Sequence, residues 1–268
     1  MRNAILIGFE YANGKKLPGI TIDLYLFYSF LKKNHWNDSE IIIYTDIKKD
    51  SHTEILKTAI SEKIVDSDIL SFFEEIKEKK QYIEFTSHNH YNNFDFVLRD
   101  SKTENLFVYY SGHCKNSNLI LPNESLISLI NFKNILIKYS EVICIMDCCS
   151  CGFDLPFVCH ENENIYRLNS NSFITSKIIS IVSSLDNENS ITSKIGSYFT
   201  KNLYSILSNE MSLFQILDKL KNKGHYKNFK QTANISVSYP NLYFLFPWLY
   251  SKPSLSIVFT PHYIEILL

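Results

Sequence analysis

Two short stretches hold the residues most able to do chemistry. YYSGHC, residues 109–114, sets His113 between a glycine and a cysteine. ICIMDCCSCG, residues 143–152, sets Cys148, Cys149 and Cys151, three of the six cysteines in the chain, directly after Asp147. A thiol is a poor nucleophile until it ionises, and a neighbouring imidazole favours the thiolate. The imidazole titrates near neutrality, so it can later hand the proton to a leaving amine. His113 and a cysteine brought face to face would support acyl transfer. The same residues admit other readings. Cys148-x-x-Cys151 with His113, Cys114 or His160 could hold zinc, although a structural zinc site ordinarily needs two such pairs. Cys114 or Cys151 could form a disulfide with Cys149 and silence it. Free cysteine is also among the most buried residue types, and Cys144 and Cys148 read as core.

Both stretches follow apolar runs, and those runs must position them. Residues 4–9, 41–44, 106–110, 142–146 and 178–182 are rich in Ile, Val, Leu and aromatics without clean alternation. That is the pattern of parallel strands covered on both faces. Residues 20–31, 54–64, 68–79, 124–138, 196–207 and 212–221 carry helical spacing. Residues 233–245 read as a further strand running into an aromatic segment. Strand alternating with helix implies crossover units, an α/β fold and a mainly parallel sheet of about six strands. Open parallel sheets bind ligands at the carboxyl ends of their strands. If the runs at 106–110 and 142–146 are neighbours, His113 and the cysteines share one rim. Two polar, aperiodic segments, 159–171 and 183–193, read as loops at the site.

Composition bounds the rest. The chain has 268 residues, 45% hydrophobic and 21% charged, with a net charge of −1. This is enough to bury a core. It offers no basic surface of the kind nucleic acid demands, because Lys48-Lys49 and the run at 77–80 are short and mixed with acids. No leader-like segment and no membrane-length apolar stretch is visible, so a cytoplasmic protein with reduced thiols and no membrane partner is expected.

The two stretches resemble a known pair of boxes. YYSGHC resembles the YSGHG box around the catalytic histidine of caspase-like peptidases (clan CD, family C14). DCCSCG resembles the D-S/C-C-H-S-G box of metacaspases. ILIGFEYANGKKLPGITIDLYLF is similar to the metacaspase first strand, loop and L-x-G-x-x-x-D helix start. EIIIYTD is similar to the second strand, and QTANISVSYPNLYFLF to the last-strand region. The resemblance implies a caspase-like fold in one domain over residues 1–268. A large-subunit-like part to about 160 and a polar linker at about 160–177 would precede a small-subunit-like part from 178. It implies a cysteine endopeptidase with Cys149 as nucleophile and His113 as base. The backbone amides of Cys114 and Cys149 would form the oxyanion hole. Asp23 and Asp147 would line an S1 pocket for Arg or Lys, with Asp186 a further wall, and the partners would be proteins or peptides with a basic P1 residue. Self-cleavage at Arg167 or Lys177 and a monomeric state, with dimerisation through an edge strand as the other possibility, also follow from the resemblance.

Some residues depart from the family pattern. Cys114 stands where the family has Gly, a position where φ > 0 could be required. Ser150 and Cys151 stand where it has His and Ser. The gap between the boxes is short, and its NLILPNESL stretch offers one acid, Glu124. Calcium wants several oxygen ligands, so no metal or other cofactor is expected. The first apolar run opens the chain, so no pro-domain is expected. The altered boxes leave open a pseudoprotease acting as a binding or regulatory module. An Asp-specific, caspase-like protease is the other alternative, although the first loop supplies Lys15 and Lys16 rather than Arg.

Overall fold

The computed structural model describes residues 1–11, 14–47, 53–78, 82–84, 104–151, 155–160, 163–168, 174–207, 211–223 and 231–250. Lys48-Lys49, Gly152 and residues 169–173 of the polar segment lie outside the described residues. Among the described residues, one sheet of nine strands organises the chain. Its parallel part comprises β1 (Arg2–Gly8), β2 (Ile41–Thr45), β3 (Tyr82–Glu84), β4 (Asn105–Ser111), β8 (Glu141–Asp147) and β11 (Lys177–Val182). They lie in the order β3-β2-β1-β4-β8-β11. Beyond β11 the sheet turns antiparallel through β14 (Asn234–Val237), β9 (Phe157–Cys159) and β10 (Ile165–Arg167). The expected parallel block is present with β3 added at its edge; the strand expected from 233 is the antiparallel β14, and β9 and β10, where the sequence leads one to expect no strand, extend the sheet beyond it. The segment from 159 is therefore not all loop, because Ile165–Arg167 pairs back on Phe157–Cys159.

Strand residues alternate between two cores. Leu6, Phe107, Tyr109, Ile143, Ile145, Ile179 and Ile181 face α1 (Ile20–Lys33), α5 (Tyr198–Ile206) and α6 (Leu213–Lys223). The shorter α2 (Thr53–Ser61) and α3 (Ile69–Glu78) send Ala59, Ile69 and Phe72 into the same core. Ile5, Ile7, Val108, Tyr110, Val142, Cys144 and Met146 face the opposite way, toward α4 (Leu129–Leu136). Three short strands complete that layer: β5 (Cys114–Lys115), β6 (Asn118–Ile120) and β7 (Leu126–Ser128). A fully buried Leu, Ile or Phe contributes roughly 1.5–3 kcal/mol, so sheet cores on both faces fix the strand register firmly. The helix expected from 124 begins instead at Leu129, because Leu126–Ser128 pairs with β6 and the Ser128 hydroxyl caps the helix by accepting the Asn131 N–H (3.1 Å). No helix among the described residues is long and apolar enough to cross a membrane.

Candidate active site

Parallel pairing of β4 with β8 sets Ser111 opposite Asp147. His113 and Cys149 each follow by two residues, so both stand at the same carboxyl rim, and the Gly112 N–H bonds the Asp147 carbonyl (3.3 Å). The chain then turns sharply. Ser150 is left-handed, with φ of 47°, a conformation costing a non-glycine residue roughly 1–3 kcal/mol. The loop after β11 holds it there. The Ser150 N–H donates to the Glu188 carbonyl (3.1 Å), and the Asn187 N–H donates to the Ser150 hydroxyl (3.1 Å). The Cys148 N–H donates to the Ser183 hydroxyl (3.1 Å), and its carbonyl accepts the Ser184 hydroxyl (2.9 Å). Cys149 thus sits on a pinned turn at a strand end.

The imidazole is oriented from below and behind. Tyr11 lies beneath it, with ring centroids 4.4 Å apart. The Tyr11 hydroxyl accepts the His113 N–H (2.7 Å) and donates to the Ile120 carbonyl (2.7 Å), while the Ile120 N–H donates to the His113 carbonyl (3.0 Å). His113 Nε2 lies 2.7 Å from the Lys15 carbonyl oxygen. A carbonyl only accepts, so Nε2 is the donor there, and in the neutral ring the acceptor lone pair falls on Nδ1. Cys114 pairs with Leu119 in a two-residue hairpin closed by Asn116 and Ser117, whose φ values are 50° and 57°. In that ladder Cys114 falls at a non-hydrogen-bonded position, and its own N–H points away from the hairpin. Its φ is not positive, so cysteine meets no backbone strain where the family has Gly.

The Cys149 sulfur is half-buried and accepts the Ser190 N–H (3.3 Å). Burial raises its pKa above the ordinary thiol value; the Ser190 N–H opposes this, and Cys151, Asp147 and Cys114 add to it. Cys144 and Cys148 are core residues on the α4 side. Cys148 therefore points away from Asp147, as strand alternation requires. All six cysteines are free, and among the described residues no group of His, Cys, Asp or Glu is arranged to hold a metal ion.

Asp23 and Asp147 form a buried acidic pair. Asp23 comes from the first turn of α1 and is 0% exposed; Asp147, at the end of β8, is 4% exposed. Asp23 accepts the Ser197 N–H (2.8 Å) and the Ser111 hydroxyl (3.3 Å). Asp147 accepts the Ser190 hydroxyl (2.5 Å) and the Thr200 hydroxyl (2.7 Å). Burial holds both carboxyls above the ordinary carboxylate range, and for Asp23 the charge of Asp147 adds to it. No Lys or Arg among the described residues forms an ion pair with either.

The remaining expected residues lie apart from this centre. Asp186 is exposed on the turn after β11, where Ser190 rather than Asp186 reaches Asp147. Lys15 and Lys16 are exposed. Arg167 ends the edge strand β10, and Lys177 opens β11, where it pairs with Glu141 at 3.0 Å. Sequence reasoning missed Tyr11, Ser111, Ser190, Ser197, Thr200 and the Lys15 carbonyl. Of these, Ser111, the residue before the Gly-His pair, and Ser190, inside the polar segment 183–193 expected as a loop at the site, carried a sequence signal.

No curated protein matches the sequence. The fold is similar to that in the crystal structure of protein GSU0716 from Geobacter sulfurreducens, with a TM-score of 0.54 at 12% identity over 93% of this chain and 99% of that one. At that identity the likeness speaks to fold alone. The family model for the caspase domain, Peptidase C14, matches residues 1–244. With His113 and Cys149 standing at one rim of this sheet, the match over residues 1–244 makes the chain a member of the caspase-domain family, with a function of the cysteine-peptidase kind.

Proposed function

We propose that the protein is a cysteine endopeptidase of metacaspase type that cleaves after Arg or Lys. The carrying observation is the buried pair Asp23 and Asp147, bonded among the described residues to hydroxyls and an N–H, beside the half-buried thiol of Cys149. A basic P1 side chain would enter that pair and bring its scissile carbonyl over the sulfur. His113 Nδ1 takes the Cys149 proton, and the sulfur attacks the carbonyl carbon. The N–H groups of Cys149 and Cys114 hold the developing oxyanion, each contributing about 3–4 kcal/mol to barrier lowering. The imidazolium then protonates the leaving amine, which leaves a thioester on Cys149. Water, deprotonated by His113, attacks the thioester and releases the acid. A raised thiol pKa makes this base necessary, because little thiolate exists at neutral pH without it. No calcium is needed in this scheme, and the enzyme acts as a cytoplasmic monomer.

The test is turnover of matched fluorogenic peptides bearing Arg, Lys or Asp at P1, under reductant, with calcium or with chelator, beside Cys149→Ala. Arg or Lys cleavage that is lost in the variant and indifferent to calcium is the expected result. Faster turnover of the Asp peptide would overturn the pocket assignment, and marked calcium stimulation would overturn the metal-free scheme. Folded protein that cleaves nothing would favour the pseudoprotease.

A further inference from the structure

Ser190 is not part of either family-like box, yet it touches both halves of the site. Its N–H donates to Cys149 Sγ (3.3 Å), and its hydroxyl donates to Asp147 Oδ1 (2.5 Å). Gln231 fixes the same residue from outside. The Gln231 side-chain N–H donates to the Ser190 hydroxyl (3.2 Å), and its carbonyl accepts the Ile191 N–H (3.2 Å). The loop is anchored again through Glu188, whose carboxylate accepts the Thr232 N–H (2.9 Å) and hydroxyl (3.0 Å). One residue therefore spans from the nucleophile to the acidic pocket, held at both ends.

We propose that Ser190 is a positioning residue: anchored by its hydroxyl on Asp147, it aims its backbone N–H at the Cys149 sulfur and so stabilises the thiolate. This deepens the peptidase reading and rests on it. An N–H donated to sulfur favours the charged form. The sulfur is otherwise faced by groups that oppose ionisation, namely Asp147 on β8, Cys151 beyond the turn and Cys114 on β5. The imidazole of His113, beyond β4, stands at the same rim, and Lys201 on α5 acts on Asp23. Because the hydroxyl and the N–H belong to one residue, a cation that rearranges the hydrogen bonds of Asp147 also shifts the donor on the nucleophile.

The experiment is the rate of Cys149 alkylation by iodoacetamide against pH, which needs no peptidase activity. Ser190→Ala is expected to slow alkylation at pH 7 by about tenfold, the scale of one charge-assisted hydrogen bond, by moving the profile to higher pH. Ser190→Thr, which keeps the hydroxyl, should restore it. In peptide turnover the Ala variant should lose kcat more than it raises KM. An unchanged alkylation profile in folded Ser190→Ala, or no recovery with Thr, overturns the proposal. Should Ser190→Ala fail to fold, Gln231→Ala loosens the same anchor from outside; a smaller shift in the same direction supports the proposal and no shift overturns it. Wild-type protein that alkylates as expected yet cleaves no peptide would sink the peptidase reading while leaving the role of Ser190 at the thiol intact.

Discussion

At the scale of single residues, the acidic pair sets activity against stability. Asp23 has a raised pKa, chiefly from burial and then from the charge of Asp147. A carboxyl with a raised folded pKa keeps its proton more readily when folded than when unfolded. Between the ordinary carboxylate range and its folded value the native state binds more protons, so stability falls as pH rises through that window. Asp23→Asn removes this contribution and can still accept the Ser197 N–H. Its thermal unfolding midpoint is expected to lie about 2–4 °C above wild type at pH 7, the effect of ~1 kcal/mol in a domain of this size. Its pH dependence should also be flatter. Arg-peptide kcat/KM should fall by at least about 100-fold, since a paired buried charge is lost. A variant that is less stable at pH 7, or as active as wild type, would contradict this account. The residues of the two boxes were legible because each supplies a rare side chain in a fixed local pattern. Thr200 and Tyr11 were not, because each contributes a common hydroxyl brought in from a distant part of the chain by tertiary packing; for Ser190 the loop was legible but not the residue, since serine is common in that segment.

At the scale of elements, the strands read well where both faces are covered, because a parallel strand between two layers needs an uninterrupted apolar run. β1, β2, β4, β8 and β11 each have one. The short strands β5, β6, β9 and β10 are two or three residues long, too short to show a period, and Leu126–Ser128 carries spacing that fits helix and strand alike. The helix start L-x-G-x-x-x-D now has a physical reason. A Cβ on Gly19 would lie 2.3 Å from the Ser193 carbonyl and 2.6 Å from the Gly196 nitrogen, both backbone atoms that cannot swing aside. Those atoms belong to β12 (Thr192–Ser193) and β13 (Gly196–Ser197), the hairpin that delivers the Ser197 N–H to Asp23. Gly196 has φ of 95°, and a Cβ there would lie 2.9 Å from the Asp23 carboxylate. Gly19→Ala should push the hairpin off α1, cost about 1–3 kcal/mol of stability and lower Arg-peptide turnover through the displaced Ser197 donor. Gly14→Ala is the control, since nothing lies within 4 Å of its Cβ position. Denaturant unfolding and peptide kinetics on both variants check this, and equal behaviour of the two would refute it.

At the scale of the whole molecule, the sheet decides what a cut in the polar segment could do. The Lys177 N–H bonds the Ser140 carbonyl, and β11 is paired on both sides, with β8 and with β14. Offering the bond after Lys177 to an active site means pulling that strand from the middle of the sheet. Arg167 is exposed at the end of β10, a three-residue strand that, among the described residues, pairs with β9 alone. Releasing it breaks one short ladder at the sheet edge. If the protein processes itself, the cut should therefore fall after Arg167 and not after Lys177. It should also leave the molecule in one piece. The part before the cut would hold β8 and β9, the part after it β11 and β14, and β8 pairs with β11 as β9 pairs with β14. The fragments interleave across two ladders and share both cores. Mass spectrometry under denaturing conditions should find an Arg167 cut in wild type and an intact chain in Cys149→Ala, while the native mass of the wild type stays that of the whole chain. A Lys177 cut, a cut that persists in Cys149→Ala, or fragments that separate under native conditions would each contradict a sheet that holds its central strands through processing.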